Sequence, residues 1–216
     1  MKLSQLYRRI FPSYPLLLDR VLKNCNAKTV LDLGCGDDSP LQFLKSVSTA
    51  EKIGVDAFQP SIEKSKEKKI HDRYINSQLI DYLKNIDRSF DVVMLNDVVE
   101  HFERDDAEEL IFWAERRSKK FLIILTPNGF VRQGDINKNP WQVHLSGFNH
   151  WDFEKRGFTT FPFGGLKFLR GELFQPKIPG LLGEFLCDLS APLAFIIKPL
   201  SYSVLAVKKY EDFNIE

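Results

Sequence analysis

The stretch that most constrains the fold is residues 30–40, Val-Leu-Asp-Leu-Gly-Cys-Gly-Asp-Asp-Ser-Pro, where an apolar run stops at two closely spaced glycines. Val30, Leu31 and Leu33 supply a buried strand, and Gly34 and Gly36 let the backbone turn tightly and a ligand approach it. Ser39 is placed to cap a helix, and Pro40 suits the first helical position because its missing N–H needs no partner there. Gln42 follows Ser39 by three residues, as a capping box requires, so a crossover helix is expected to run on through residues 41–47. The stretch reads as strand, ligand-binding turn, helix.

Gly-x-Gly turns also join strands to helices that bind nothing, so a second signal is needed. Lys52-Ile53-Gly54-Val55-Asp56 provides it: a short apolar strand ends in an acid about 20 residues after the glycines, where an α/β cofactor fold puts a carboxylate on ribose hydroxyls. Dinucleotide folds add a third glycine against the pyrophosphate. Here that position holds Asp38, which favours a cofactor without phosphates.

The pattern then alternates. Helical spacing marks residues 15–24 as a covering helix, with Leu17, Leu18, Val21 and Leu22 inward, and residues 60–66 as another helix. Residues 73–76 form a weak third strand, and 80–83 follow it. Phe90 to Leu95 is nearly all apolar, as a strand covered on both faces should be. Residues 105–118 are amphipathic with Leu110, Ile111 and Ala114 inward, and Phe121 to Leu125 is the fifth strand. A sixth is expected over 158–163 and a last over 204–208.

Leu31-Asp32-Leu33-Gly34-Cys35-Gly36, Gly54-Val55-Asp56 and Phe90-Asp91-Val92-Val93 resemble the successive motifs of class I S-adenosylmethionine-dependent methyltransferases. The resemblance covers about residues 28–163 and implies an α/β, Rossmann-like, seven-stranded, mostly parallel sheet with helices on both faces and the last strand antiparallel. It implies S-adenosylmethionine as cofactor, with Asp32 and Ala57 near it, Gly34 and Gly36 beside its amino-acid part, Asp56 on the ribose hydroxyls, Asp81 near the adenine, and Asn96 and Val98 edging the methyl group. Asp38 departs from the family's usual glycine.

Methyl transfer needs an in-line nucleophile, and a base only if the acceptor carries a proton. His101 follows the fourth strand, and His144 and His150 follow the fifth, so all three are candidates, with His101 and His144 preferred for orienting or deprotonating an acceptor. No metal is expected in the leading reading; if residues 97–101 are helical, Asp97, Glu100 and His101 share a face and with His144 form an alternative metal set, which would prefer a magnesium-like ion. The stretch Asp97-Val-Val-Glu-His101 resembles the Glu-x-x-Glu-His of metal-assisted O-methyltransferases, with Asp97 in place of the first Glu. Asp152 can cap a helix before the sixth strand. Trp141, Phe148 and Trp151 either line an acceptor pocket or roof the core.

With 216 residues, one methyltransferase domain is expected, residues 1–28 serving as a helical cover and residues 164–202 as an insertion before the last strand. That insertion places Leu181, Leu182, Phe185, Leu186 and Leu189 on a helical stripe. It reads as a lid or dimer contact, or else as a lipid-facing surface. Thirty basic against 29 acidic residues give a net charge of +1, which argues against a nucleic-acid partner and for a small-molecule or lipid-like acceptor. Cys25, Cys35 and Cys187 have no zinc or disulfide spacing, as suits the cytoplasm. Residues 1–9 carry no signal-peptide pattern, and residues 181–197 are too interrupted by Glu184, Asp188 and Pro192 to span a membrane, although peripheral contact is compatible. The alternatives are a non-catalytic module that binds a protein through the insertion and the metal-assisted O-methyltransferase.

Overall fold

The computed structural model describes residues 13–135 and 139–210. The expectation for residues 1–9 and the first part of the N-terminal cover lie outside the described residues. In chain order the elements are α1 (Tyr14–Val21), β1 (Thr29–Leu33), β2 (Glu51–Asp56), α2 (Gln59–Lys68), β3 (Arg73–Asn76), α3 (Leu79–Asn85), β4 (Phe90–Asn96), α4 (Arg104–Arg116), β5 (Ser118–Pro127), α5 (His150–Glu154), β6 (Thr159–Leu166), α6 (Gly180–Ile196) and β7 (Ser201–Lys209). The strands form one sheet of order β3-β2-β1-β4-β5-β7-β6, with β7 antiparallel to both of its neighbours. This is the expected α/β architecture.

β4 shows why the order holds. Val93 and Leu95 enter a layer with Leu110, Ile111 and Phe153, and Val92 and Met94 enter the opposite layer with Leu18, Leu22 and Ile123. Alternation in a strand covered on both faces makes every residue apolar. Register then aligns the strand ends: Leu33 pairs with Val55 on one side and Leu95 on the other. Residues 34–36, Asp56 and Asn96 therefore leave the sheet side by side, at the edge where parallel α/β sheets bind ligands.

The first crossover corrects the sequence reading. Instead of a helix over 41–47, a single 3-10 turn spans Pro40–Phe43. Ser39 does accept from the Leu41 amide at 3.3 Å, but its hydroxyl also donates to Asp32 at 2.5 Å. The Gln42 amide turns to Asp38 and to the Ser39 carbonyl, so no capping box forms. Beyond the turn, Ser46, Val47, Ser48 and Thr49 are poor helix formers. Leu41, Leu44 and Val47 are buried all the same, beside α1. Asp19 accepts from the Ser46 amide at 2.8 Å, which ties α1 to this loop.

The insertion is an ordered substructure. Arg170 is buried and donates to the carbonyls of Gly164 and Phe174, both at 2.6 Å, and reaches Glu184 at 3.3 Å. Its guanidinium also lies 3.8 Å from the centre of the Phe174 ring. α6 seats against β6 through small residues: Gly183, Cys187 and Ala194 are its buried positions, and of the expected stripe Leu181, Leu182, Phe185 and Leu189 are exposed while Leu186 is half-buried. Small residues face inward because the backbones approach closely. A Cβ on Gly165, whose φ is +75°, would stand 2.2 Å from the Cys187 carbonyl oxygen. Among the described residues no helix is long and apolar enough to cross a membrane.

Gly165→Ala should destabilise the protein by on the order of 2 kcal/mol in denaturant unfolding, because it adds both a left-handed backbone penalty and an overlap with backbone atoms. Unchanged stability would show that α6 is not seated this closely.

Candidate active site

The two glycines of the first loop do different work. Gly34 (φ +69°) donates to the Val55 carbonyl at 2.8 Å, and a Cβ there would lie 2.5 Å from Val98 Cγ2. Gly36 (φ +54°) would place its Cβ in open space, with only the Gly34 carbonyl oxygen 4.0 Å away. One glycine permits packing between loops, and the other leaves a cradle beside the backbone that any side chain would fill.

Carboxylates hold this loop in shape. Asp56 accepts from Gly36 N–H at 2.9 Å through Oδ2 and from Phe58 N–H at 2.8 Å through Oδ1. Each oxygen keeps a further lone pair, so the carboxylate can still accept from hydroxyls. Burial raises its pKa, with the two amides opposing that shift. Asp32 lies beneath the loop, bonded to Ser39 and, at 2.9 Å, to His71 Nε2, the fourth histidine and one not foreseen as part of the site.

The fourth strand ends differently from the helical expectation. Asp97 has a left-handed φ of +53° and a 3-10 turn covers Val99–His101, so Asp97 does not share a helix face with Glu100 and His101. Burial raises the Asp97 pKa to about 6. Glu100 is buried, its Oε2 accepts from Thr126 Oγ1 at 2.9 Å, and its Oε1 has no hydrogen-bond partner among the described residues. Burial, with Asp97 nearby, holds its pKa well above the usual range. The Glu100 carbonyl accepts from the amides of Leu145 and Ser146, which brings the segment after β5 against this turn.

His101 and His144 meet as a result, with ring centres 4.8 Å apart. His101 Nδ1 lies 3.2 Å from the Val143 carbonyl and His144 Nδ1 lies 2.6 Å from the Val131 carbonyl. Carbonyls only accept, so each Nδ1 carries the proton and each Nε2 keeps a lone pair. Burial lowers the His101 pKa to about 4 and lowers that of His144 as well. Both are neutral bases at pH 7. One ligand atom each from Glu100, His101 and His144 lie within 4.8 Å of one another. Asp97 is outside that set, which therefore offers two imidazoles and one carboxylate instead of the oxygen-rich set expected for magnesium.

A cavity of about 1090 Å³ joins these parts. Asp32, Gly34, Gly36, Asn96, Asp97, Glu100, His101 and His144 border it, as do Phe163, Arg170, Phe174, Pro192 and Phe195. Tyr14 of α1 closes one side, its hydroxyl donating a short bond to Asn96 Oδ1 and its ring leaning on Phe163. Other expected residues stand elsewhere. Val98 packs under Gly34, the Ala57 carbonyl accepts from Asn76, and Asp81 is exposed on α3; none of the three borders the cavity, and neither does Asp56, which stands behind Gly36. His150 is buried beside Trp151, also away from it. Phe148 roofs the core, stacked on Phe153, and Trp141 and Trp151 are half exposed. Asp152 accepts from the Asn149 amide at 2.8 Å, so the cap before β6 is formed jointly with Asn149.

Residues 31–120 match the family model described as a methyltransferase domain. No curated protein matches the sequence. Among solved structures, the chain is similar to a SAM-dependent methyltransferase from Archaeoglobus fulgidus, at 21% identity over 97% of this chain and 100% of that one, with a TM-score of 0.57. It is also similar to the methyltransferase domain of bacterial CtHen1, at 17% identity over 94% and 97% of the two chains and a TM-score of 0.57. Magnesium protoporphyrin IX methyltransferase from Synechocystis PCC 6803 with bound SAM aligns at 14% identity over 96% and 91%, with a TM-score of 0.52. Residues 31–120 thus match a methyltransferase domain, and the chain shares the fold of these methyltransferases over nearly its whole length.

Proposed function

We propose that the chain methylates an apolar or lipid-like acceptor, held in the same cavity as the methyl donor and prepared by His101 and His144. The observation that carries this reading is the cavity's extent. At about 1090 Å³ it lies at the top of the roughly 300–1,000 Å³ typical of a pocket for one small ligand, and its far wall is the insertion, where Leu173, Phe174, Pro192 and Phe195 stand with Arg170, Glu184 and Asp188.

S-adenosylmethionine, when bound, supplies an electrophilic methyl group on a sulfonium. Gly36 would give it an approach to the backbone, and Asp56, beside that loop, would accept from its ribose hydroxyls. Asp32 and Asp97 give this end a negative field that suits a sulfonium cation. Asn96, fixed by Tyr14, edges the reacting centre. His101 Nε2 and His144 Nε2 accept a proton from an acceptor hydroxyl or amine, and Phe163, Phe174, Pro192 and Phe195 exclude water from it.

A second reading, metal-assisted transfer, is favoured by one observation: the buried, partnerless Glu100 Oε1 beside two histidines whose Nδ1–H groups are fixed by carbonyls, the orientation metal-ligating imidazoles use. Two nitrogens and one oxygen suit a divalent transition ion such as Mn²⁺ or Zn²⁺ better than Mg²⁺.

Calorimetric titration should show binding of S-adenosylmethionine that Gly36→Val weakens by at least about tenfold, since the side chain fills the cradle and needs a left-handed backbone. Equal affinity in a folded variant would remove the loop from the cofactor site. If the metal reading holds, Mn²⁺ titrated into the chelator-treated protein binds at one site and His144→Ala weakens it by about tenfold or more; no heat of binding would exclude it.

The histidines also predict a pH dependence. His101 has a folded pKa of about 4 against an ordinary 6.5, so the unfolded chain binds its proton first as pH falls. Its contribution is present above pH 6.5 and is lost as pH drops toward 4. Between pH 7 and pH 5, with chelator present, the native protein should lose on the order of 2 kcal/mol more stability than His101→Asn. Identical slopes would show that His101 is not held neutral.

A further inference from the structure

We propose that the outward face of α6 docks the protein on a lipid bilayer, bringing the cavity mouth to an apolar acceptor held there; this rests on the reading of the cavity as an apolar-acceptor site. An ordinary surface helix turns its large apolar residues inward. α6 does the reverse: Gly183, Cys187 and Ala194 are buried, while Leu181, Leu182, Phe185, Leu189, Leu193 and Ile196 face outward. Leu181 is 90% exposed and Ile196 79%. Taking about 200 Å² for a fully exposed large side chain, this face with Phe195 presents on the order of 900 Å², above the roughly 300–600 Å² of the largest patch on a typical monomer.

Three observations select a bilayer as the occupant. The first is polarity. The polar side chains of α6 lie off the centre of this face: Glu184 pairs with Arg170 and Asp188 stands beside it, both at the cavity edge, and Ser190 Oγ donates to the Cys187 carbonyl. A protein interface of such size carries several hydrogen bonds and favours Tyr, Trp, Met and Arg, whereas hydrocarbon asks for no polar partner.

The second is continuity. Leu173 and Phe195 border the cavity and are also 54% and 60% exposed, so apolar side chains connect the helix face with the chamber. An apolar acceptor can follow them inward. The third is charge. Lys167 and Lys177 are exposed next to Phe168 and Ile178, two further exposed apolar residues, and neither enters an ion pair among the described residues. Cations at the edge of an apolar face match anionic headgroups, as in helices that lie in the membrane interface.

The test is flotation of the purified chain with vesicles of phosphatidylcholine containing phosphatidylglycerol, with S-adenosylmethionine affinity measured on the same samples. The native chain should float, and Leu181→Glu/Ile196→Glu should reduce partition by at least about tenfold. Its cofactor affinity should not change, because neither residue borders the cavity. Lys167→Glu/Lys177→Glu should lose partition onto these anionic vesicles. A native chain that binds cofactor but does not float overturns the proposal. So does a dimer in light scattering that Leu181→Glu/Ile196→Glu dissociates, which would assign the face to a second copy. A chain that floats without binding cofactor overturns the underlying methyltransferase reading and the delivery role with it.

Discussion

The contact between Gly34 and Val98 is the constraint on which the site depends. Strands β1 and β4 are neighbours, so the loops that leave their ends compete for one space, and only a residue without a side chain can turn at Gly34 while Val98 packs beneath it. The glycine loop is held against the turn that carries Asp97, Glu100 and His101, and Asp97, next to Val98, has a left-handed backbone that a short polar residue tolerates better than most. The glycine loop and the turn that carries His101 are therefore packed as one unit.

Around that unit the protein buries charge at some cost. Asp97 and Glu100 are both held above their usual pKa by burial, and His101 and His144 below theirs. Groups displaced in this way, in a cavity rather than in a solid core, are what an acid–base or ligand-binding site requires. The insertion has a corresponding logic. Arg170 satisfies two carbonyls and a carboxylate in the interior, so the polar requirements of the segment are met internally and the large apolar side chains of α6 are left for the outside.

Much of this could be read in the sequence where the signal was local and periodic. The alternation of strands and helices, the glycine turn, the acid ending the second strand, and the approach of the His101 and His144 segments follow from apolar runs and from residues at strand ends. The missing crossover helix was not legible, because Ser39, Pro40 and Gln42 have the right spacing, yet Ser39 is drawn to Asp32 and Gln42 to Asp38. Tyr14, His71 and Arg170 were invisible for another reason. Their partners Asn96, Asp32 and Gly164 are set by tertiary packing, and spacing along the chain carries no trace of them. The outward turn of α6 had one sign, the small residues Gly183, Cys187 and Ala194 at helical spacing, which compete with the leucines for the buried face.

The central claim is that one cavity holds the methyl donor against the glycine loop and leaves room beyond it for an apolar acceptor. A crystal structure with S-adenosylhomocysteine tests it most directly. The account predicts ribose hydroxyls on Asp56, the amino-acid part beside Gly36, the sulfur turned toward Asn96 and the histidine pair, and an open chamber remaining under Phe174 and Phe195. A ligand bound elsewhere, or one that fills the chamber up to the insertion, would contradict it.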